Sequence, residues 1–163
     1  MKKILIVCFL LTSAYMFSQN DDKPKFWDNV QFGGGLGLNF SNNYTTLSIS
    51  PSAIYNFNQY VAAGPGLSYL YSKYRDVKSN VYGAGLITLI NPIPNLQFSV
   101  EYEHLFVTQK IAFDKTNFDY PSLYLGGAYR MGNFSAGLRF DVLYDSDKTI
   151  YSSAVSPIFR FYF

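Results

Sequence analysis

From Asn29 onward, apolar and polar residues alternate with period two, interrupted by short clusters of Asn, Asp, Ser, Lys, Gly and Pro. Successive side chains of a strand point to opposite faces, so this rhythm predicts strands with one apolar face. Eight stretches carry it, roughly Val30 to Phe40, Tyr44 to Asn56, Tyr60 to Ser72, Val81 to Ile90, Leu96 to Val107, Tyr120 to Met131, Phe134 to Tyr144 and Ile150 to Phe163. Each has about the 9 to 11 residues, or slightly more, that a tilted strand needs to cross a bilayer. No stretch has a helical period.

The connections fall into two classes. After the second, fourth and sixth stretches they are tight, at Phe57-Asn58-Gln59, Asn91-Pro92-Ile93-Pro94-Asn95 and Gly132-Asn133. After the third, fifth and seventh they are longer and charged: Lys73 to Asn80, Thr108 to Asp119 and Asp145 to Thr149. Only Ser41-Asn42-Asn43, after the first stretch, departs from this alternation by being short. Short turns on one side, longer loops on the other and both termini on the short side are the layout of an outer-membrane barrel. The expected fold is therefore all-β, an eight-stranded antiparallel up-and-down transmembrane β-barrel occupying 20–163 as one domain.

Charge placement decides which face meets which solvent. Outside the N-terminal segment the charges lie before Asn29, in the three long connections, or at six strand positions: Glu101, Glu103, Arg130, Arg139, Asp141 and Arg160. All six are flanked by apolar or aromatic neighbours, as in Val100-Glu101-Tyr102 and Phe159-Arg160-Phe161, so they share the polar face. An Arg on the lipid face near the midplane costs about 2–4 kcal/mol. The polar face therefore points inward, and the six are expected to form an ion-pair network filling the lumen. The same face carries Gly33, Gly35 and Gly37, then Ser48, Ser50 and Ser52, then Gly64, Gly66 and Ser68, which make room opposite Glu101 and Glu103. Eight strands leave an interior that side chains can fill, which argues against an open solute pore. Pro51, Pro65 and Pro157 fall inside expected strands and call for bulges or strand ends. The stretch Val81 to Ile90 has no charge to fix its faces.

Composition sharpens this picture. The 163 residues are 48% hydrophobic and 19% aromatic but only 15% charged, below the roughly 25% charge of an average soluble domain. Lys2 and Lys3 account for the formal +2, and the rest of the chain is neutral. A basic nucleic-acid footprint is excluded at this level. Met1-Lys2-Lys3, the apolar run Ile4 to Leu11 and the more polar Thr12 to Gln19 read as a secretory signal peptide over residues 1–19. The only cysteine, Cys8, lies in that run. The remaining chain has no thiol for a disulfide, a nucleophile or a zinc site.

The C-terminus, Val155-Ser156-Pro157-Ile158-Phe159-Arg160-Phe161-Tyr162-Phe163, resembles the closing strand of an outer-membrane β-barrel. The whole chain is similar to small eight-stranded outer-membrane barrel proteins of Gram-negative bacteria. It shares with them the phrases Phe26-Trp27-Asp28-Asn29-Val30-Gln31-Phe32-Gly33-Gly34-Gly35-Leu36-Gly37 and Asn91-Pro92-Ile93-Pro94. The resemblance implies an outer-membrane location, contact with outer-membrane lipid, and an assembly signal at Phe159, Phe161 and Phe163 read by the barrel-assembly machinery through strand addition. It implies a location rather than a reaction.

The chemistry left open is limited. Some similar short chains carry the name 2-oxoglutarate decarboxylase. That thiamine-dependent activity would need a Gly-Asp-Gly motif with a downstream Asn and a far longer chain, and neither occurs. Gly33-Gly34-Gly35-Leu36-Gly37 lacks the Lys-Ser/Thr and helix of a phosphate loop. His104 has no second His or Cys for a metal, so no metal or other cofactor is expected. A lipid A-modifying enzyme is an alternative, but His104-Leu105-Phe106-Val107 does not match the His-x-Ser-Asn motif of such deacylases. A soluble secreted lipocalin-like barrel with an apolar ligand is another, and it would reverse the faces. The leading expectation is a non-enzymatic barrel with a structural or surface-interaction role, any surface ligand meeting loops 73–80 and 108–119.

Overall fold

The computed structural model describes residues 26–41, 44–74, 77–111, 114–146, 149, 151 and 153–163. A 3-10 turn, Phe26–Asn29, leads into eight strands: β1 Val30–Ser41, β2 Tyr44–Asn56, β3 Val61–Tyr74, β4 Val77–Ile93, β5 Leu96–Ile111, β6 Asp114–Met131, β7 Phe134–Asp141 and β8 Val155–Tyr162. Each pairs antiparallel with its sequence neighbour and β8 returns to β1, so the sheet is a closed up-and-down barrel. The expected eight-stranded all-β architecture is the observed one. The segment read as a signal peptide lies outside the described residues.

Local chemistry sets the tight turns. The Asn58 side-chain oxygen accepts hydrogen bonds from the backbone N–H of Tyr60 and Val61, at 2.8 and 2.9 Å, and folds β2 back onto β3. Gly132, with φ of 60°, turns β6 into β7, in a left-handed conformation that glycine adopts without steric cost.

Two of the expected long loops are strand instead. β3 and β4 stay paired out to Tyr74 and Val77, and β5 and β6 out to Ile111 and Asp114, so the described residues of 73–80 and 108–119 are projecting strand rather than loop. Their charges mark contact with water, not irregular backbone: Lys78 is exposed between half-buried Val77 and buried Ser79, which continues the strand alternation. The last connection behaves in the opposite way. β7 ends at Asp141 and β8 begins only at Val155, so the expected stretches ending at Tyr144 and starting at Ile150 are both shorter than the sequence pattern suggests.

The three prolines are accommodated by gaps in the ladder. Between β2 and β3 the register runs from Ile49↔Tyr69 directly to Ser52↔Gly66 and then to Tyr55↔Ala63, leaving Pro51 and Pro65 outside it. Both keep their pairing on the other side, Pro51 with Gly34 and Pro65 with Leu86. A proline lacks the N–H that a ladder uses, and here both missing donors fall on one seam. Pro157 pairs with Leu138 on β7, while the β8–β1 ladder consists of Gly33↔Tyr162, Gly34↔Phe161 and Gly35↔Arg160. Phe32 and Phe163 complete that closure by exchanging both backbone hydrogen bonds, at 3.2 and 3.0 Å.

The glycines of β1 make this seam possible. A Cβ on Gly33 would lie 2.7 Å from the Tyr162 Cα, and one on Gly34, whose φ is +144°, would lie 2.8 Å from the Pro51 Cα. Backbone that close leaves no space for a side chain. Gly34→Ala is expected to destabilise the barrel by about 1–3 kcal/mol through clash and strain. Urea unfolding in detergent micelles, followed by tyrosine circular dichroism, measures it against Gly127→Ala, a glycine whose nearest non-neighbouring atom is an ordinary 4.0 Å away.

Candidate functional site

Inward residues divide the lumen into layers. At the short-turn mouth, Ser135 Oγ donates to Gln97 Oε1 at 3.1 Å and Gln97 Nε2 donates to Asn91 Oδ1 at 3.0 Å. Above them lies an apolar cluster of Ile54, Ala62, Ile87, Leu89 and Tyr162. Toward the hairpin end, Leu70, Val81, Leu105 and Val107 form a second apolar cluster, against which Phe118, Tyr120 and Tyr151 pack. A belt of charge lies between the two.

Glu101 is the centre of that belt. It is 6% exposed and is shared by two guanidiniums, Arg139 through Nη1 at 2.9 Å and Arg160 through Nη2. Ser99 Oγ donates a further hydrogen bond to Glu101 Oε1 at 2.8 Å. Arg139 Nε donates to Ser156 Oγ at 3.2 Å, and its guanidinium carbon lies 4.0 Å from the centroid of the Tyr124 ring. A cation over a ring face gains electrostatic energy, more so where water is excluded. Arg160, 5% exposed, reaches from β8 to β5 and so ties the closing strand to the opposite wall. Glu103, one inward position further along β5, lies beside Ser68 and within electrostatic reach of Arg139. Two carboxylates and two guanidiniums give the belt no net charge, which limits the cost of burying it.

The six residues expected to form one network are therefore split. Glu101, Arg139 and Arg160 are joined directly, and Glu103 borders them. Asp141 and Arg130 serve elsewhere. The buried Asp141 carboxylate accepts from the backbone N–H of Leu123 at 3.2 Å and of Leu143 at 3.0 Å, and so terminates β7. Arg130 sits at the short-turn rim, where its Nε donates to the Gly132 carbonyl at 2.9 Å. Both share the inward face with the belt but lie at other heights, and period-two alternation specifies face without height.

A cavity of about 80 Å³ lies against the belt. One side is Glu101, Glu103, Arg139 and Arg160, and the other is the small-residue wall of Gly35, Gly37, Ser48, Ser50, Ser52 and Gly66. Gly35, Gly37, Gly66 and the three serines of β2 thus face the carboxylates as expected, whereas Gly33 and Gly64 lie against neighbouring backbone outside this cavity. Arg160 Nη1 is buried beside it without a protein hydrogen-bond partner among the described residues. A polar chamber of this size has room for several waters, at about 10–15 Å³ of such volume each.

Phe159, Phe161 and Phe163 all point outward, between 49% and 71% exposed, while the alternating Ile158, Arg160 and Tyr162 point inward. Tyr162 Oη and Ser52 Oγ are hydrogen bonded at 2.9 Å, a further link across the seam. On the outer surface His104 Nε2 meets Asp119 Oδ2 at 2.8 Å, with side chains 37% and 59% exposed. Sequence reading missed this pair because 108–119 was expected to be a loop. Among the described hydrogen bonds of His104 there is no hydroxyl partner, so the pair has no nucleophile in hand. No cluster of three or more metal-ligating side chains occurs among the described residues.

No protein-family model matches the chain, and comparison with curated proteins and with solved structures finds no match either.

Glu101→Leu removes the carboxylate that both guanidiniums bind directly and leaves them only the more distant Glu103, whereas Arg139→Leu leaves Glu101 with Arg160. Breaking a buried pair costs about 3–5 kcal/mol. Equilibrium unfolding in micelles should therefore rank Glu101→Leu as the larger loss, near that range, and Arg139→Leu as smaller. Equal stability of both variants and the wild type would remove the belt as a structural element.

Proposed function

We propose that the protein is an integral outer-membrane β-barrel with a structural or surface-interaction role and a lumen filled by side chains. The observation that carries this reading is the outer surface of the closed sheet. It presents Phe32, Leu36, Leu86, Phe98, Leu138 and Phe159 among many other exposed large apolar side chains, while Glu101 and Arg160 are buried. Contiguous exposed apolar surface on this scale is rare on soluble monomers. A lipocalin-like carrier would need the opposite arrangement, with apolar residues lining a ligand cavity.

The height of the apolar band supports the same reading. From Leu96↔Tyr129 near one rim to Phe106↔Asp119 near the other, β5 advances about ten residues. At about 3.3 Å per residue and a tilt near 40°, that is roughly 25 Å along the barrel axis, the height of the lipid-facing band in outer-membrane barrels. At the short-turn rim, Phe26 stacks on Tyr55 with ring centroids 4.9 Å apart, and Trp27 and Phe57 pack edge-on beside them. Rings at that level fit a membrane–water interface. The aromatic, outward Phe159, Phe161 and Phe163 fit recognition by the assembly machinery.

Cell fractionation tests this reading. The protein should partition with the outer membrane and migrate faster on a gel when unboiled than when boiled; recovery as a soluble protein with no heat shift would overturn it. A second measurement addresses the surface directly. Leu138→Arg should cost about 2–4 kcal/mol in lipid vesicles, whereas on a water-exposed surface it would be nearly neutral. The non-enzymatic part has its own readout: His104→Ala should leave the lipid A of intact cells unchanged.

A further inference from the structure

The outer faces of β3 to β6 are ordered in rows that run across the strands, oblique to the barrel axis because the strands are tilted, and that change character along the strands. Near mid-height the partners are Pro65, Leu86, Tyr102 and Leu123. Two rows higher come Tyr69, Tyr82, Phe106 and Asp119. The next row is Tyr71, Asn80, Thr108 and Asn117, in which Thr108 Oγ1 donates to Asn117 Oδ1 at 2.9 Å. Above it four lysines stand side by side: Lys73 pairs with Lys78, Lys78 with Lys110, and Lys110 with Lys115. All four are exposed.

Like charges directly opposite one another destabilise a sheet. Here three successive cross-strand pairs are like-charged, and none of the four lysines makes an ion pair with a described side chain. Asp119, the only acid on these outer faces among the described residues, lies two rows below and is engaged by His104. With neighbouring strands about 4.8 Å apart, the row spans roughly 15 Å, a line of ammonium groups with no ion-pair partner among the described residues. Folding alone does not require that arrangement.

Height identifies the counter-charge. The lysine row lies four residues beyond Phe106 on β5, about 13 Å along the strand and roughly 10 Å along the barrel axis. Lysine stems can bend back over the surface beneath them, which brings the ammonium groups into the head-group zone just outside the hydrocarbon core. We propose that Lys73, Lys78, Lys110 and Lys115 form a docking row for the phosphate groups of anionic lipids in the surrounding leaflet. This rests on the membrane-spanning reading. The row ranks the lipids around β3–β6, drawing phosphate-bearing ones to one side of the barrel.

The test uses the full mature chain in phosphatidylcholine vesicles, with and without an anionic phospholipid, and quenching by brominated lipid of either class. Phe106→Trp places an indole just below the row, in a Trp27→Phe background. The chain's own Trp27, at the opposite rim, reports in the unaltered protein. Insertion is first checked by the heat-dependent gel shift in phosphatidylcholine alone; failure there overturns the membrane reading itself. Given insertion, the indole below the row should prefer brominated anionic lipid over brominated phosphatidylcholine by about threefold or more. Lys78→Gln with Lys110→Gln should bring the ratio to about one, and Trp27 should show no preference. The same double variant should be at least as stable as its parent in phosphatidylcholine, because repulsion is relieved, but less stable in the anionic vesicles. A ratio near one for the unsubstituted row would overturn the proposal. So would a preference that persists undiminished in the Lys78→Gln, Lys110→Gln double variant.

Discussion

Everything in this barrel depends on closing the sheet, and the closure is its shortest ladder. Three register pairs join β1 to β8, and the reciprocal hydrogen bonds of Phe32 and Phe163 extend them by one step. Closure is what removes the unpaired edges of an open sheet, and in a membrane no water is present to satisfy them. The protein reinforces this seam from within. Arg160, one of the three closing residues of β8, extends to Glu101 on β5, and Tyr162, another, bonds to Ser52 on β2. Side chains from the closing strand thus act as struts across the lumen where backbone pairing is thinnest.

The struts need room, and the distribution of small residues provides it. Gly35, Gly37, Ser48, Ser50 and Ser52 occupy the wall facing the charges, so two arginines and two glutamates fit into an eight-stranded interior. The apolar clusters on either side lower the dielectric around the belt, which makes its pairings strong and their loss costly. The same segregation explains the outer surface. With the Lys, Arg and Glu side chains confined to the inside, rims and projecting hairpins, the mid-height exterior is apolar and aromatic except for Thr88 and His104.

Much of this was legible in the sequence, for a physical reason. A strand shows only two faces, so one charged residue such as Arg139 assigns the face of its whole strand. β4, which has no charge over Val81 to Ile90, is the exception: its sequence leaves the faces open, and the registers with its neighbours turn Val81, Ile87 and Leu89 inward and Tyr82, Leu86 and Ile90 outward. What the sequence did not reveal is height. Asp141 and Arg130 have the same periodicity as Glu101, yet one caps the end of β7 and the other sits at the rim. Hairpin length was misread for a related reason. The charges in 73–80 and 108–119 suggest loops in the sequence, although strands that project into water tolerate charge on their outer face. The His104–Asp119 pair and the aligned lysines exist only once those residues are paired in register.

The prolines give the barrel an internal division. β1 and β2 are joined to each other by twelve consecutive register pairs, yet β1 meets β8 over three, and β2 meets β3 through a ladder gapped at Pro51 and Pro65. β4, β5 and β6, by contrast, are paired almost end to end. In terms of cooperativity the molecule has a thickly paired wall, β4 to β6, and a thinly paired one on either side of β8. Units bounded by fewer hydrogen bonds open at lower free energy than the rest of a fold. β8, held by three register pairs on one side and seven on the other, is therefore the part of the wall at which the closed cylinder can most readily be breached.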